Sequence, residues 1–249
     1  MYRNGYILQT KELSKNFGAL KAVNQVNLEI GKGIHSIIGP NGAGKTTLFN
    51  LLTGFLKPSS GKIFFLGKDI TGLPPYEISR LGIARSFQIT SIFPELTVFE
   101  NVRISAQSRS RSSANFLSSF KGMQEVNQNA ERILKDLGLL EFREVEAKAL
   151  SYGLKRSLDI AISLAVRPRL ILLDEPTSGM GQEDTRKIIK IISIISKQIP
   201  IVIIEHNIDV VLSISKRITV LYQGSVLAEG SPIEIQQNEK VQEAYLGGY

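Results

Sequence analysis

Short apolar runs along this chain alternate with stretches whose apolar residues recur at helical spacing. Ile7 to Leu13 and Val23 to Ile30 alternate apolar with polar positions, as half-buried strands do, and Lys62 to Leu66 makes a third such segment. Together they predict an antiparallel layer. Ile34 to Ile38 is short, apolar and followed by a glycine-rich loop. Thr46 to Phe55 then carries helix-compatible spacing, ended by Gly54 and the turn Lys57 to Gly61. From Pro94 to Leu150 the pattern is helical, clearest over Ala130 to Leu140, with Ile133, Leu134, Leu137 and Leu140 in step and Gly138 near a C-terminus. Between Ser105 and Ser119 lies a serine- and arginine-rich stretch, either a mobile loop or a weakly specified helix. Strand-like runs return at Leu170 to Leu173, Ile201 to Ile204 and Ile218 to Leu221, separated by helical patterns such as Asp184 to Lys197. No internal repeat is visible. The expected class is α/β: a mostly parallel sheet covered on both faces, an antiparallel β subdomain, and a helical subdomain over approximately 90–160 within one unit spanning 1–249.

Composition narrows the chemistry. The chain has 249 residues, enough for a sizeable core, and 43 % apolar with 21 % charged residues is ordinary for a folded protein. The absence of cysteine excludes disulfides and thiolate metal sites, and only two histidines, His35 and His206, remain as imidazole ligands. Neither a secretory signal nor an apolar run long enough for a transmembrane helix is found, so a cytoplasmic chain is expected. The net charge of +7 comes without a dense basic run interleaved with aromatics, so nucleic acid is not an expected partner.

The glycine-rich loop carries the strongest signal. Gly39-Pro40-Asn41-Gly42-Ala43-Gly44-Lys45-Thr46, followed by Thr47, fits the G-x-x-x-x-G-K-[ST] pattern and lies between a strand and a helix, as that motif requires. Gly39, Gly42 and Gly44 let backbone N–H groups approach phosphate oxygens, and the helix that follows points its partly positive end at the same anion. Lys45 supplies a charge for the outer phosphates of ATP, and Thr46 a hydroxyl for Mg²⁺. Downstream, Asp174 and Glu175 end an apolar strand, where ligands bind in open α/β sheets. Asp174 is expected to meet Mg²⁺, usually through water, and Glu175 to polarise the attacking water.

These motifs, with Gln88, Leu150-Ser151-Tyr152-Gly153-Leu154 and Glu205-His206, occur in the order found in ATP-binding cassette (ABC) proteins, and the chain resembles that family over its whole length. The resemblance implies a P-loop NTPase core and further roles. Phe17 matches the aromatic that stacks on adenine, and Gln88 the glutamine that senses Mg²⁺ and γ-phosphate. His206 matches the switch histidine that contacts γ-phosphate. Ser151 and Gly153 match signature residues that bind the γ-phosphate held by an opposite subunit, so two ATP molecules are sandwiched between two cassettes. His35 matches no family role.

Three positions depart from the pattern: Leu154 where glutamine is usual, Gly181 where aspartate is usual, and Asn207 where aspartate is common. Phosphate contacts by Ser151 and Gly153 should survive these changes, whereas communication between the two sites is where they bear. Finer details, among them Ala84 to Gln88, Leu96 to Asn101 and the closing Ala244 to Gly247, resemble the ATPase subunits of branched-chain amino-acid importers and are shared with urea-type relatives. That resemblance implies an ATPase peripheral on the inner face of the membrane, a second cassette (the same chain or a paralogue), membrane permease subunits and, indirectly, a solute-binding protein. A permease helix would dock beside the glutamine loop, with Ile89, Ile92, Phe93 and Leu96 either lining the groove or packing within the helical subdomain. The alternatives are a non-transport cassette acting on nucleic acid or ribosomes, and an ATP-binding regulator with little hydrolysis.

Overall fold

The computed structural model describes residues 5–86, 92–108 and 119–246. Two sheets organise it. In the first, β1 (Leu8–Phe17) pairs antiparallel with β2 (Leu20–Ile30) and with β4 (Ser60–Phe65), which continues to the short β5 (Lys68–Asp69). The alternating segments of the sequence are therefore the antiparallel layer they predict.

The second sheet has the order β10-β9-β3-β8-β7-β6, from β3 (Ile34–Ile38), β6 (Ile83–Arg85), β7 (Leu170–Asp174), β8 (Ile201–Ile204), β9 (Arg217–Tyr222) and β10 (Ser225–Gly230). All pairings are parallel except that of β10 with β9. Its central strands β3, β7 and β8 are buried on both faces, and pleating divides their side chains between two cores. Leu170, Leu172, Val202 and Ile204 pack toward the antiparallel sheet and α1 (Lys45–Leu52), whereas Ile171, Leu173, Ile201 and Ile203 pack toward α6 (Gln182–Ser196). A separate cluster joins α3 (Val98–Gln107), α4 (Ser119–Asp136) and α5 (Tyr152–Ala165) through Val102, Leu134 and Leu158, which is the helical region foreseen from Pro94 onward.

Several boundaries differ from expectation. The helical spacing read over Ala130 to Leu140 belongs to α4, which starts earlier, at Ser119, and stops at Asp136, two residues before the Gly138 expected near its C-terminus. Gly138 adopts a left-handed φ of 68°, and Leu139 N–H donates to Leu134 O at 2.7 Å, closing the helix so that Leu140 opens a separate 3₁₀ turn. Residues 105–107 end α3 and Ser119 begins α4, while 109–118 of the serine- and arginine-rich stretch lie outside the described residues. Short elements were not anticipated: β5, β6, α2 (Pro75–Leu81), α7 (Ile208–Ile214), β10, α8 (Pro232–Gln236) and α9 (Glu239–Leu246). The last packs Val241 and Tyr245 against β3 and β9, and burial pushes the Tyr245 phenol up to about 12, against the effect of its hydrogen bond with the Gly39 backbone.

Candidate functional site

Parallel register explains why distant motifs converge. Ile37 of β3 and Asp174 of β7 both pair with Ile204 of β8, so the segments leaving these strands emerge side by side at one sheet edge. The ladder extends one step further, Glu175 N–H donating to Ile204 O at 2.9 Å. A cleft of about 560 Å³ lies there, lined by Phe17, residues 41–47, Glu175 and His206. The structure thus brings together the loop, the second carboxylate, the histidine and the candidate adenine platform.

Gly44 precedes α1 with φ 100° and no side-chain cap, leaving the first N–H groups of the helix for an anion. An added Cβ on Gly44 would stand 2.3 Å from Ala22 O, so packing against β2 demands glycine here as well as the phosphate approach. Lys45 is 6 % exposed, and its Nζ donates to Gly39 O at 2.7 Å and Pro40 O at 2.9 Å. Burial lowers its pKa, while Glu175 and Asp174 pull the other way. Phe17 is half-exposed at the rim, with the Lys15 ammonium 5.3 Å from its ring centre.

Glu175 Oε1 and His206 Nε2 stand 2.9 Å apart. Both are set by buried hydrogen bonds. Glu205, 3 % exposed, accepts from Thr177 N–H and Oγ1 at 2.9 and 2.5 Å through Oε1, and from His206 N–H at 3.0 Å through Oε2. One carboxylate thereby ties the end of β8 to the loop after β7. Asn207 caps α7, its Oδ1 accepting from Asp209 and Val210 N–H, so the residue in place of the usual aspartate keeps a capping role.

Asp174 is buried. Its Oδ2 pairs with Arg85 at 2.8 Å, and Arg85 also donates to Asn50 Oδ1 at 2.6 Å. Its Oδ1 is buried with no hydrogen-bond partner among the described residues. Such an anionic oxygen needs a cation or a bound water. Thr46 lines the cleft, and a carboxylate with a hydroxyl is hard-oxygen chemistry of the kind that fits Mg²⁺, which takes one or two carboxylates together with phosphate oxygens. Among the described residues no cluster of three or more His, Cys, Asp or Glu gathers.

Ser151 and Gly153 do not reach this cleft. Ser151 caps α5, its Oγ accepting from Leu154 N–H at 3.4 Å, and both residues line a second cleft with Asp184 and Lys187. Gln88 and Ile89 lie outside the described residues. Ile92 packs on the helical cluster, and Phe93 is exposed. His35, expected as a sheet histidine, is buried in β3 with Nε2 2.7 Å from Thr219 Oγ1, and burial pulls it down to about 4. Sequence reasoning passed over Arg85 and Arg156, because an isolated arginine in an ordinary segment carries no local signal of a long-range contact.

Comparison with known proteins shows the family. The sequence pattern of the ABC transporter family matches residues 23–178, and that of the branched-chain amino acid ATP-binding cassette transporter matches 225–249. The chain is 40 % identical over 251 residues to the high-affinity branched-chain amino acid transport ATP-binding protein BraF of Pseudomonas aeruginosa, covering 97 % of this chain and 98 % of that one. It is likewise 40 % identical to LivG of Escherichia coli K12, with the same coverage. Among solved structures, the ADP conformation of the ABC transporter cassette MJ1267 superposes with a TM-score of 0.86 at 35 % identity, covering 97 % of this chain and 99 % of that one. A dimeric post-hydrolysis cassette, MJ0796 bound to ADP and Pi, superposes with a TM-score of 0.76 at 27 % identity, covering 90 % and 98 %. Fold, motif order and full-length similarity coincide: the chain belongs to the ATP-binding cassette family of transporter ATPases.

Proposed function

We propose that this chain, one cassette spanning 1–249 with its helical subdomain over about 90–160, binds and hydrolyses ATP to power uptake of branched-chain or related amino acids through a separate permease. The observation that carries the reading is the single cleft in which Lys45 and the phosphate loop face the Glu175–His206 pair, 2.9 Å apart. Full-length similarity to the branched-chain amino acid transport proteins supports the substrate class.

In this reading Phe17 stacks on adenine, and the N–H groups of residues 41–47 with Lys45 hold the phosphates. Thr46 and Asp174, assisted by Gln88, would hold Mg²⁺, which neutralises charge on the phosphate oxygens. Glu175 takes the proton of the attacking water, and His206 orients that carboxylate and contacts the γ-phosphate. Ser151 and Gly153 open on a different cleft and serve the ATP of a second cassette, so one copy is half of a composite enzyme. ATP favours pairing through its higher affinity for the closed state, and hydrolysis releases it.

Among the described residues no helix is long and apolar enough to cross a membrane, so the translocation path belongs to partners. A groove of about 340 Å³ beside β6, with Phe55 and Tyr76 each more than half exposed, is the place we assign to a short cytoplasmic permease helix. The protein then sits peripherally on the inner face of the membrane. Reconstitution with the permease tests this: ATP-dependent leucine uptake, abolished by Glu175→Gln and by omission of the chain, is expected. Nucleic-acid-stimulated hydrolysis by a chain that associates with no membrane subunit would overturn it.

A further inference from the structure

Three contacts join the first turns of α5 to the segment that follows β7. Arg156, only 5 % exposed, turns its guanidinium onto three consecutive carbonyls. Nη2 donates to Asp174 O at 2.6 Å and to Glu175 O at 2.7 Å, and Nε donates to Pro176 O at 3.2 Å. The Tyr152 hydroxyl donates to Ser178 O at 3.0 Å. Gly153 lies against Asp184 so closely that an added Cβ would stand 2.6 Å from the carboxylate carbon.

The placement of these bonds matters more than their number. Glu175 has a φ of 48°, a left-handed conformation that a residue with a Cβ holds only where its surroundings over-determine it. The carbonyls of Asp174 and Glu175 flank the Glu175 Cα, so Arg156 fixes the peptide planes on both sides of the strained residue. These are charge-assisted bonds in a buried setting, where such bonds are strong. Arg156 lies one turn beyond Ser151, on the same helix. A helix of this kind moves as a rigid element, so a shift of its first turn is carried to the main chain of Glu175.

We propose that Arg156 and Tyr152 are positioning residues that lock the Glu175 main chain to the N-terminus of α5, so that nucleotide held at Ser151 and Gly153 sets the geometry of Glu175 in the other site. This rests on the two-cassette reading given above. The link runs within one chain and through side chains other than Leu154 and Gly181, the positions where the family pattern is not kept. The two ATP sites are thereby coupled: occupancy of one composite half aligns the catalytic carboxylate of the next.

The test uses the assembled transporter with wild type, Tyr152→Phe and Arg156→Lys, measuring ATP affinity, kcat and the Hill coefficient for ATP. Tyr152 is 55 % exposed, and phenylalanine keeps its ring, so that variant retains the fold. Tyr152→Phe is expected to leave ATP affinity within about twofold while kcat falls about three- to tenfold, the effect of one hydrogen bond. The Hill coefficient should fall toward unity, and the amides of residues 174–179 should exchange faster. Arg156→Lys keeps the charge but cannot span three carbonyls, and is expected to show the same split with a larger loss of kcat. Unchanged kcat, cooperativity and amide exchange in both variants would overturn the proposal, as would affinity and kcat falling together. Equal turnover by wild type and Glu175→Gln would instead remove the ATPase reading of Glu175, and the role of the clamp with it.

Discussion

Two helix N-termini in this molecule open on clefts, and they differ in what else stands there. The start of α1 is capped by glycine without a side-chain hydrogen bond, and its cleft holds Lys45, Glu175 and His206. The start of α5 is capped by Ser151, and its cleft offers Asp184 and Lys187 but none of that apparatus. In the function proposed above, the first is a nearly complete phosphate site with a general base. The second has donors and no chemistry of its own. The difference teaches that a helix N-terminus supplies affinity for an anion, while turnover requires a base and a cation brought to the same place by other strands.

The sharpest way to break the comparison is to remove the base from the richer end. Glu175→Gln is expected to lower turnover about 10²- to 10⁴-fold, the range for general-base catalysis, with ATP binding retained. Steady-state hydrolysis beside equilibrium nucleotide binding reads both. Equal turnover would take Glu175 out of the chemistry.

Next in size is the strand that delivers the loop. His35 is buried neutral, drawn down to about 4 from 6.5, so the unfolded chain binds a proton that the folded chain does not between those values. Stability therefore falls as pH drops through that window, by up to about 3 kcal/mol at 1.4 kcal/mol per unit. Denaturant titrations of wild type and His35→Asn at pH 7 and pH 4.5 should show a smaller loss in the variant.

At the poorer end, Gly153→Asp adds negative charge where the partner's phosphate would approach and presses on Asp184, with Cβ 2.6 Å from its carboxylate carbon. Turnover of the assembly should fall about 10²-fold, as when one oxyanion donor is lost, while ATP binding by the isolated chain stays within about twofold. A loss of binding in the isolated chain would place Gly153 in its own nucleotide site. Smallest is Phe17→Ala. Base stacking contributes about 1–3 kcal/mol, so ATP affinity should weaken roughly tenfold with kcat little changed.

Much of the richer end was legible in the sequence, because its chemistry is local. Gly39 to Thr46 carries turn, cradle and helix start in one segment, and Asp174-Glu175 ends a strand whose burial on both faces is written in its apolar run. The antiparallel layer was legible for a related reason, since alternation reports a one-sided sheet. Contacts across the chain were not. Arg85 reaches Asp174 and Arg156 reaches the carbonyls after β7 through tertiary packing, and no spacing rule marks either arginine. The C-terminal elements escaped because α8 and α9 are too short to express a helical period. The end of α4 was legible at Gly138, whose left-handed conformation stops the helix although apolar spacing continues to Leu140.

The claim that one copy is half an enzyme meets its most direct test in concentration. ATP binding and turnover per chain are measured together from nanomolar to micromolar protein, for the chain alone and with its second cassette. The account predicts that binding per chain stays constant while turnover per chain rises with concentration and saturates as cassettes pair. Full turnover per chain at the lowest concentration, equal to that of the assembled pair, would contradict it.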